Sequence, residues 1–502
     1  MKMHNSELAL STSSQIYCYC SSSSYNNMAS NPQDAALKEQ LRAEFVGKSL
    51  HQVPTPSVIL DLAKLEVNCE RMLDATETIG LLWRPHIKTH KTTELTRLQV
   101  GDTNTTPASI IVSTIIEAEN VLPLLKEYQS KGRDVNILYS FPLFPSAVPR
   151  LAAIATQLGP NSVSLIIDHP DQLSSVEAIH KESGHPPQIF VKIDGGYHRA
   201  GVIPSSPQFS TLITAILALE NKDPKPCIFH GLYIHAGHSY YTRESWQAMQ
   251  LLAEEFKILV SVADSVREHS PGHPLVLSVG ATPTATTIQH PDFASESKSN
   301  QNHTLAKELD DLFIKWKKED RYGLEVHAGV YPTLDLQQLS THARDTTFMK
   351  ADDIAVSVLA EVASIYPNRG PHNTDEVLIN TGCLALGREP VADKGKVPGE
   401  AYSGWGFVMP WGVNNPVPGE NFPQEHEGWQ VGRISQEHGI LVWHGSREGQ
   451  EKVPLAYGQR VRVWPNHSCI AGAGFDHYLV VDSRNKGRED EVVDVWPRWR
   501  GW

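Results

Sequence analysis

From about residue 57 to about residue 335 the chain repeats one pattern. A short apolar run rich in β-branched residues gives way to a polar turn and then to a longer run with helical periodicity. Strands are expected at residues 57–62, 81–88, 109–114, 134–140, 162–168, 189–193, 228–234 and 275–279. Helices are expected between them, for example at 63–76, 92–100, 117–130, 145–158, 170–183, 208–219 and 245–268. A helix precedes the series at 34–46. Strands separated by helices of this length cannot pair as hairpins, so they pair in parallel through crossovers. Seven or eight such units predict a (β/α)8 barrel. The polar stretch 293–304 reads as a surface loop or insertion. From about residue 354 short β-rich runs follow at 354–365, 377–380, 440–444, 460–464 and 478–482, densely punctuated by Pro and Gly. They predict a second, mainly antiparallel β domain. The expected division is a Ser-rich leader at 1–32 without fixed structure, a barrel at 33–350 and the β domain at 351–502.

A chain of 502 residues with 40% apolar and 20% charged content can bury a large core, so it needs no disulfide framework. The net charge of −13 argues against nucleic acid or an anionic membrane as a partner. No apolar run of about 18 residues predicts a transmembrane helix. The six cysteines (Cys18, Cys20, Cys69, Cys227, Cys383 and Cys469) are scattered, as expected of a reducing, cytoplasmic compartment. The leader lacks a basic region followed by an apolar core, so it does not read as a secretory signal.

One segment concentrates chemistry: Trp83-Arg84-Pro85-His86-Ile87-Lys88-Thr89-His90-Lys91, where a strand gives way to a helix. Barrel active sites lie at the C-terminal ends of the strands. A lysine there, desolvated and among cations, becomes nucleophilic at lower pH. In an extended chain His86 and Lys88 share a face. Spacing alone also fits a basic cluster capping a strand. The segment, however, resembles the lysine motif PHxKTHK of the D-serine dehydratase and D-threonine aldolase group. Those enzymes bind pyridoxal 5'-phosphate (PLP) and have the alanine-racemase-like fold, a barrel followed by a β domain. The likeness covers nearly all of the chain after about residue 50. It implies that Lys88, the first lysine of the motif, forms the Schiff base and takes the α-proton.

Further motifs follow in the family's order. Val191-Lys192-Ile193-Asp194-Gly195-Gly196-Tyr197-His198-Arg199 resembles a segment whose arginine, here Arg199, contacts the cofactor ring. A guanidinium there keeps the ring nitrogen unprotonated. Gly231-Leu232-Tyr233-Ile234-His235-Ala236-Gly237-His238-Ser239-Tyr240 implies Tyr233 and Tyr240 as cofactor residues; alone, Tyr233 reads equally as a core aromatic. Ser278-Val279-Gly280-Ala281-Thr282 and Glu325-Val326-His327-Ala328-Gly329-Val330 offer hydroxyls and backbone N–H groups to a phosphate through Gly280, Thr282, Gly329 and Val330. No Walker loop or dinucleotide fingerprint occurs.

The second concentration is Asn466-His467-Ser468-Cys469. In extended chain His467 and Cys469 would converge, and nitrogen with thiolate suits zinc. Two protein ligands are too few for a structural site but leave positions for water and substrate. An isolated pair reads equally as a buried thiol beside a histidine. The resemblance implies a zinc pair, with His-x-Cys in the dehydratase branch and more often His-x-Asp in the aldolase branch. The implied reaction converts D-serine to pyruvate and ammonia, with zinc assisting hydroxide departure. The alternatives are a metal-dependent D-threonine aldolase and a PLP carrier without activity. Carriers of that kind lack the β domain. A homodimer acting on a small D-amino acid, D-serine or D-threonine, is the implied assembly and substrate class.

Overall fold

The computed structural model describes residues 32–269, 274–290, 293, 301–318, 322–392 and 402–502. The leader expected at 1–32 lies outside them except for its last residue, where the helix Pro32–Phe45 begins. Eight parallel strands form one sheet: β2 (Leu82–Trp83), β3 (Ala108–Val112), β4 (Val135–Tyr139), β5 (Val163–Ile167), β6 (Gln188–Lys192), β7 (Ile228–Tyr233), β8 (Leu275–Val279) and β9 (Tyr322–Val326). Their order is β2-β9-β8-β7-β6-β5-β4-β3. A parallel bridge from His86 to Ile111 in β3 joins the two ends, so the sheet closes into the expected barrel. Alternate residues serve two environments. Ile111, Leu138, Ile166, Phe190 and Tyr233 fill the lumen. Ile110, Val112, Ile137, Leu165, Val191 and Leu232 pack in the large core outside it.

β1 (Ser57–Asp61) departs from the expectation. It pairs antiparallel with β10 (Val356–Tyr366) and parallel with β16 (His477–Val481), in the second sheet rather than the barrel. The eighth barrel strand is instead β9. Both faces of β1 are buried: Val58 and Leu60 join the barrel-side core, while Ile59 packs with Leu359, Leu479 and Val495. A short apolar run buried on both faces looks the same whichever sheet receives it. The other strands of the second sheet are β11 (Glu376–Ile379), β12 (Gly406–Val408), β13 (Gly428–Ile434), β14 (Gly439–His444), β15 (Arg460–Pro465) and β17 (Val492–Pro497). The order β11-β14-β13-β12-β15-β10, with β11 also paired to β10, makes a closed antiparallel ring, from which β1, β16 and β17 extend.

Two smaller expectations also change. The strand expected over 81–88 is regular only at Leu82–Trp83, because Pro85 has no N–H for the ladder. Of the polar stretch 293–304, residues 294–300 lie outside the described set and 301–304 open the helix Gln301–Lys318. Among the described residues, no helix is long and apolar enough to cross a membrane.

Candidate active site

Past β2 the backbone stays locked. Arg84 N–H and His86 N–H donate to Val326 and Ala328 on one side, and Ile87 N–H donates to Ile111 on the other. Ile87 is fully buried, so its neighbours His86 and Lys88 turn to the opposite, lumen side. The loop then turns at Lys91, whose φ is +53°, and Lys91 Nζ lies 3.2 Å from the buried Glu117. Glu117 also accepts the Ser113 N–H at 2.8 Å. The second lysine of the motif thereby ties the loop after β2 to the loop after β3.

At the C-terminal ends of the strands lies a cavity of about 410 Å³. Its walls come from seven strands or the loops after them: His86 and Lys88, Ser113, Ser140, Lys192 and Arg199, Tyr233 with His235 and Tyr240, Thr282, and His327 with Gly329 and Val330. Among the described residues, three cations and no carboxylate line it. Gly280 is not in the wall but supports it. Its φ is +142°, its carbonyl accepts from His235 Nδ1 at 2.8 Å, and a Cβ there would meet the His327 carbonyl oxygen at 2.3 Å.

Sequence reasoning named Lys88, Arg199, Tyr233, Tyr240, Thr282, Gly329 and Val330, and the fold brings all seven to this one cavity. It assigned no role to Lys192, His86, His235 and His327, although it quoted all four. The strand period could have found Lys192, which shares the lumen face of β6 with Gln188 and Phe190. Its Nζ lies over the Tyr233 ring at 4.7 Å. Burial, reinforced by Arg199, lowers the Lys192 pKa to about 8. Burial and the neighbouring cations hold His86, His235 and His327 well below the ordinary imidazole range, so all three are neutral at pH 7. His86 Nε2 lies 3.0 Å from Ser113 Oγ. His327 stacks on Tyr233 at 4.3 Å between ring centroids and bonds Ser278 Oγ through Nδ1 at 3.0 Å, while its buried Nε2 has no partner among the described residues.

This cavity fits an anionic aromatic cofactor. The Gly329 and Val330 N–H groups converge on Thr282 Oγ1 at 3.4 and 3.1 Å, making a cluster of donors at one end. Lys88 lines the same cavity.

The pair from the second sheet meets this rim. β15 ends at Pro465, and the turn after it docks on the barrel. Ser468 N–H donates to Asp335 at 2.8 Å, and Ser468 Oγ lies 3.0 Å from Thr333 Oγ1. Cys469 Sγ then lies 3.1 Å from the hydroxyl of Thr89, the residue after Lys88. The convergence of His467 and Cys469 does not come from extended chain, as expected, because Ser468–Ala471 is a turn of helix with His467 at its N-cap. Burial would push the Cys469 thiol up, but His467, Lys88 and Thr89 outweigh it and bring it below the ordinary thiol range. Burial pushes His467 down, and Cys469, Asp335 and Glu389 more than reverse this. A cysteine sulfur beside a histidine ring is a soft two-donor set that suits zinc with open positions. Among the described residues no group of three such ligands occurs.

Residues 60–296 match the family of the alanine racemase N-terminal domain, and residues 355–481 match the serine dehydratase domain. The chain is 36% identical to D-serine dehydratase of Schizosaccharomyces pombe, over 93% of this chain and 96% of that one. It is 32% identical to D-serine dehydratase of Saccharomyces cerevisiae, over 92% and 99%. Among solved structures, D-threo-3-hydroxyaspartate dehydratase from Delftia sp. HT23 superposes with a TM-score of 0.65 at 24% identity, covering 91% of this chain and all of that one. That last likeness concerns the fold.

Proposed function

This chain belongs to the D-serine dehydratase family of the alanine-racemase-like fold, and on that premise we propose that it is a PLP- and zinc-dependent lyase converting D-serine to pyruvate and ammonia. The observation that carries this reading is one contact. Cys469 from the second sheet touches Thr89, next to Lys88, at the mouth of a cationic barrel cavity. In this reading residues 33–350 supply the cofactor pocket and 351–502 the metal pair.

When bound, PLP supplies an aldehyde for Lys88 and an electron-withdrawing ring for the substrate's α-carbon. Zinc on His467 and Cys469 supplies Lewis acidity, which for a bound water moves the pKa from about 15.7 to about 7. The rest is the work of the chain. Lys88 is the amine that condenses with the aldehyde; once displaced by substrate, it is placed to take the α-proton. Gly329, Val330 and Thr282 hold the phosphate end, with Gly280 shaping the loop beneath. Arg199 would hold the cofactor ring, where a guanidinium that does not release its proton would leave the ring nitrogen neutral. With that nitrogen neutral, the cofactor would supply a weaker electron sink, and departure of the β-hydroxyl would draw on the metal that His467 and Cys469 would hold. Tyr233 and Tyr240 wall the ring with buried phenols. A small D-amino acid fits the charge pattern, since its carboxylate meets a cavity whose charged residues among those described are all cations. A homodimer in a reducing, cytoplasmic setting completes the reading; Cys69, Cys227, Cys383 and Cys469 are all free thiols.

The deciding experiment incubates purified protein with D-serine, L-serine, D-threonine and D-threo-3-hydroxyaspartate, with and without a chelator, and identifies the products. Pyruvate from D-serine, lost on chelation while the cofactor's visible absorbance stays, is expected. Glycine and acetaldehyde from D-threonine would assign the aldolase instead. Dehydration that survives full metal removal would sink the zinc role.

A further inference from the structure

Lys192 ends β6, and its side chain joins the wall of the cofactor cavity. The strand order runs β2-β9-β8-β7-β6 in one direction and, through the His86–Ile111 bridge, β2-β3-β4-β5-β6 in the other. β6 is therefore the strand across the lumen from β2, and Lys88 and Lys192 enter the cavity from opposite walls. Val191 packs in the outer core and Phe190 in the lumen, so the strand period turns Lys192 inward. Its Nζ lies 4.7 Å from the centroid of the Tyr233 ring, itself part of the cavity wall. The residue is 6% exposed, and its Nζ makes no hydrogen bond or ion pair among the described residues. Nζ is nonetheless not one of the partnerless polar atoms sealed from solvent, so the surface it keeps lies toward the cavity.

The carboxylates whose charge reaches Lys192 are Asp168 and Asp194, and both are committed to the loop after β6 or to its surroundings. Asp194 accepts the Gly196 and His198 N–H groups at 3.0 Å and pairs with the His198 ring at 2.8 Å. Asp168 accepts the Gly201 N–H at 3.1 Å and the Gln172 side chain at 3.2 Å. Burial and Arg199 lower the Lys192 pKa to about 8, so most of the amine keeps its proton at pH 7. A buried ammonium with no anion beside it is costly, and an arriving anion offsets that cost. The other groups of the cavity already have work. Thr282, Gly329 and Val330 receive the phosphate, Lys88 condenses with the aldehyde, and Arg199 is taken by the ring. His86, His235 and His327 are neutral. The substrate's α-carboxylate is the anion still without a cation, and it hangs on the carbon next to the amine that takes the place of Lys88.

We propose that Lys192 anchors the α-carboxylate of the amino-acid substrate. The inference rests on the reading of this cavity as a PLP site with Lys88 as its amine. Held by its amine from the β2 side and by its carboxylate from the β6 side, the substrate is fixed at two points across the lumen. A simple amine has only the first of these, so Lys192 gives the site its preference for amino acids.

The test titrates holoenzyme with D-alanine, which has no β-hydroxyl to lose, and with D-alaninamide, which lacks the carboxylate as well. Binding is followed by the visible circular dichroism of the cofactor. Lys192→Met is expected to keep the cofactor band after dialysis and to bind D-alaninamide as wild type does. Its affinity for D-alanine should fall on the order of ten- to a hundredfold, the range of a hydrogen bond between charged groups. Equal affinity of Lys192→Met and wild type for D-alanine overturns the inference, because the carboxylate is then held elsewhere, at Arg199 or the metal pair. An equal loss for both ligands also overturns it, since the lysine then shapes the pocket without reading the carboxylate. Loss of the band in Lys192→Met overturns it too, by placing the lysine on the cofactor. In all three cases the wild-type band remains and the cofactor reading survives; a wild type with no visible band sinks that reading and this inference together.

Discussion

Lys88 owes its place to neighbours that bear no chemistry of their own: a proline that interrupts the ladder, a buried isoleucine and the Lys91–Glu117 pair behind the loop. Its replacement by alanine leaves all of these in place. Lys88→Ala should therefore fold as wild type does yet show no visible cofactor band after dialysis; a persisting band would move the role to another lysine, Lys192 first. A second residue-scale expectation concerns Glu255, buried on the helix Ser245–His269 and accepting the Ala236 N–H at 2.8 Å. Burial, only partly opposed by hydrogen bonds from Thr284, Ala236 and Gly280, raises its pKa to about 8. A raised folded-state pKa contributes stability that is fully present below the ordinary carboxylate range. That contribution is lost as pH rises through about 8. Glu255→Gln stays neutral throughout, so its thermal midpoint should exceed that of wild type increasingly from pH 5 to pH 9. At the upper end the gap is on the order of a few kcal/mol. Parallel curves would show that the carboxyl is ionised at little cost.

At the scale of elements, the pocket depends on three loops meeting after β7, β8 and β9. Gly280 is where they touch: His235 bonds its carbonyl, and the His327 backbone leaves no room for a Cβ. Gly280→Ala has to strain a positive φ and push the β9 loop, which carries Gly329 and Val330. Strain of this kind costs about 1–3 kcal/mol. Beyond that loss of stability, the variant should bind PLP more weakly, as read from titration of the apoprotein by absorbance; unchanged affinity would mean that the β9 loop does not hold the phosphate. The barrel lumen beneath carries its own polar layer. Arg84 pairs with Glu325 at 2.9 Å and bonds Asn136 at 2.7 Å, and both partners are buried. Nothing in the spacing of these three residues marks them as partners, because they come from strands that meet only when the barrel closes.

Across the whole molecule the two sheets share a core. Val58 and Leu60 of β1, Trp464 of β15, Tyr478 and Val480 of β16 and Trp496 of β17 belong to the same buried cluster as the barrel's outer face. The ring of β10–β15 has a separate core around Trp429, Val431, Leu441 and Val463. Since the cofactor rim rests on the shared cluster, heating should release PLP and abolish near-ultraviolet circular dichroism in one transition. A fragment of residues 33–350 should hold no cofactor. A fragment that binds PLP with wild-type affinity would show that the barrel stands without its partner sheet.

The alternation of runs, the lysine motif and the His-x-Cys pair were all present in the sequence, because local periodicity fixes element type and short motifs keep reactive groups at set spacings. Those signals led to the barrel, the β domain and seven of the residues that now line one cavity. What the sequence could not decide was association at a distance. β1 looks like a barrel strand and joins the other sheet, since an apolar strand buried on both faces carries no label for its partner. His467 and Cys469 converge through a helical turn rather than extended chain, because Asp335 and Thr333, more than a hundred residues earlier, anchor Ser468 between them. The side chain of Arg344 is an ordinary charge in the sequence and becomes a buried one, bonded to Gln289, only where packing has removed its water.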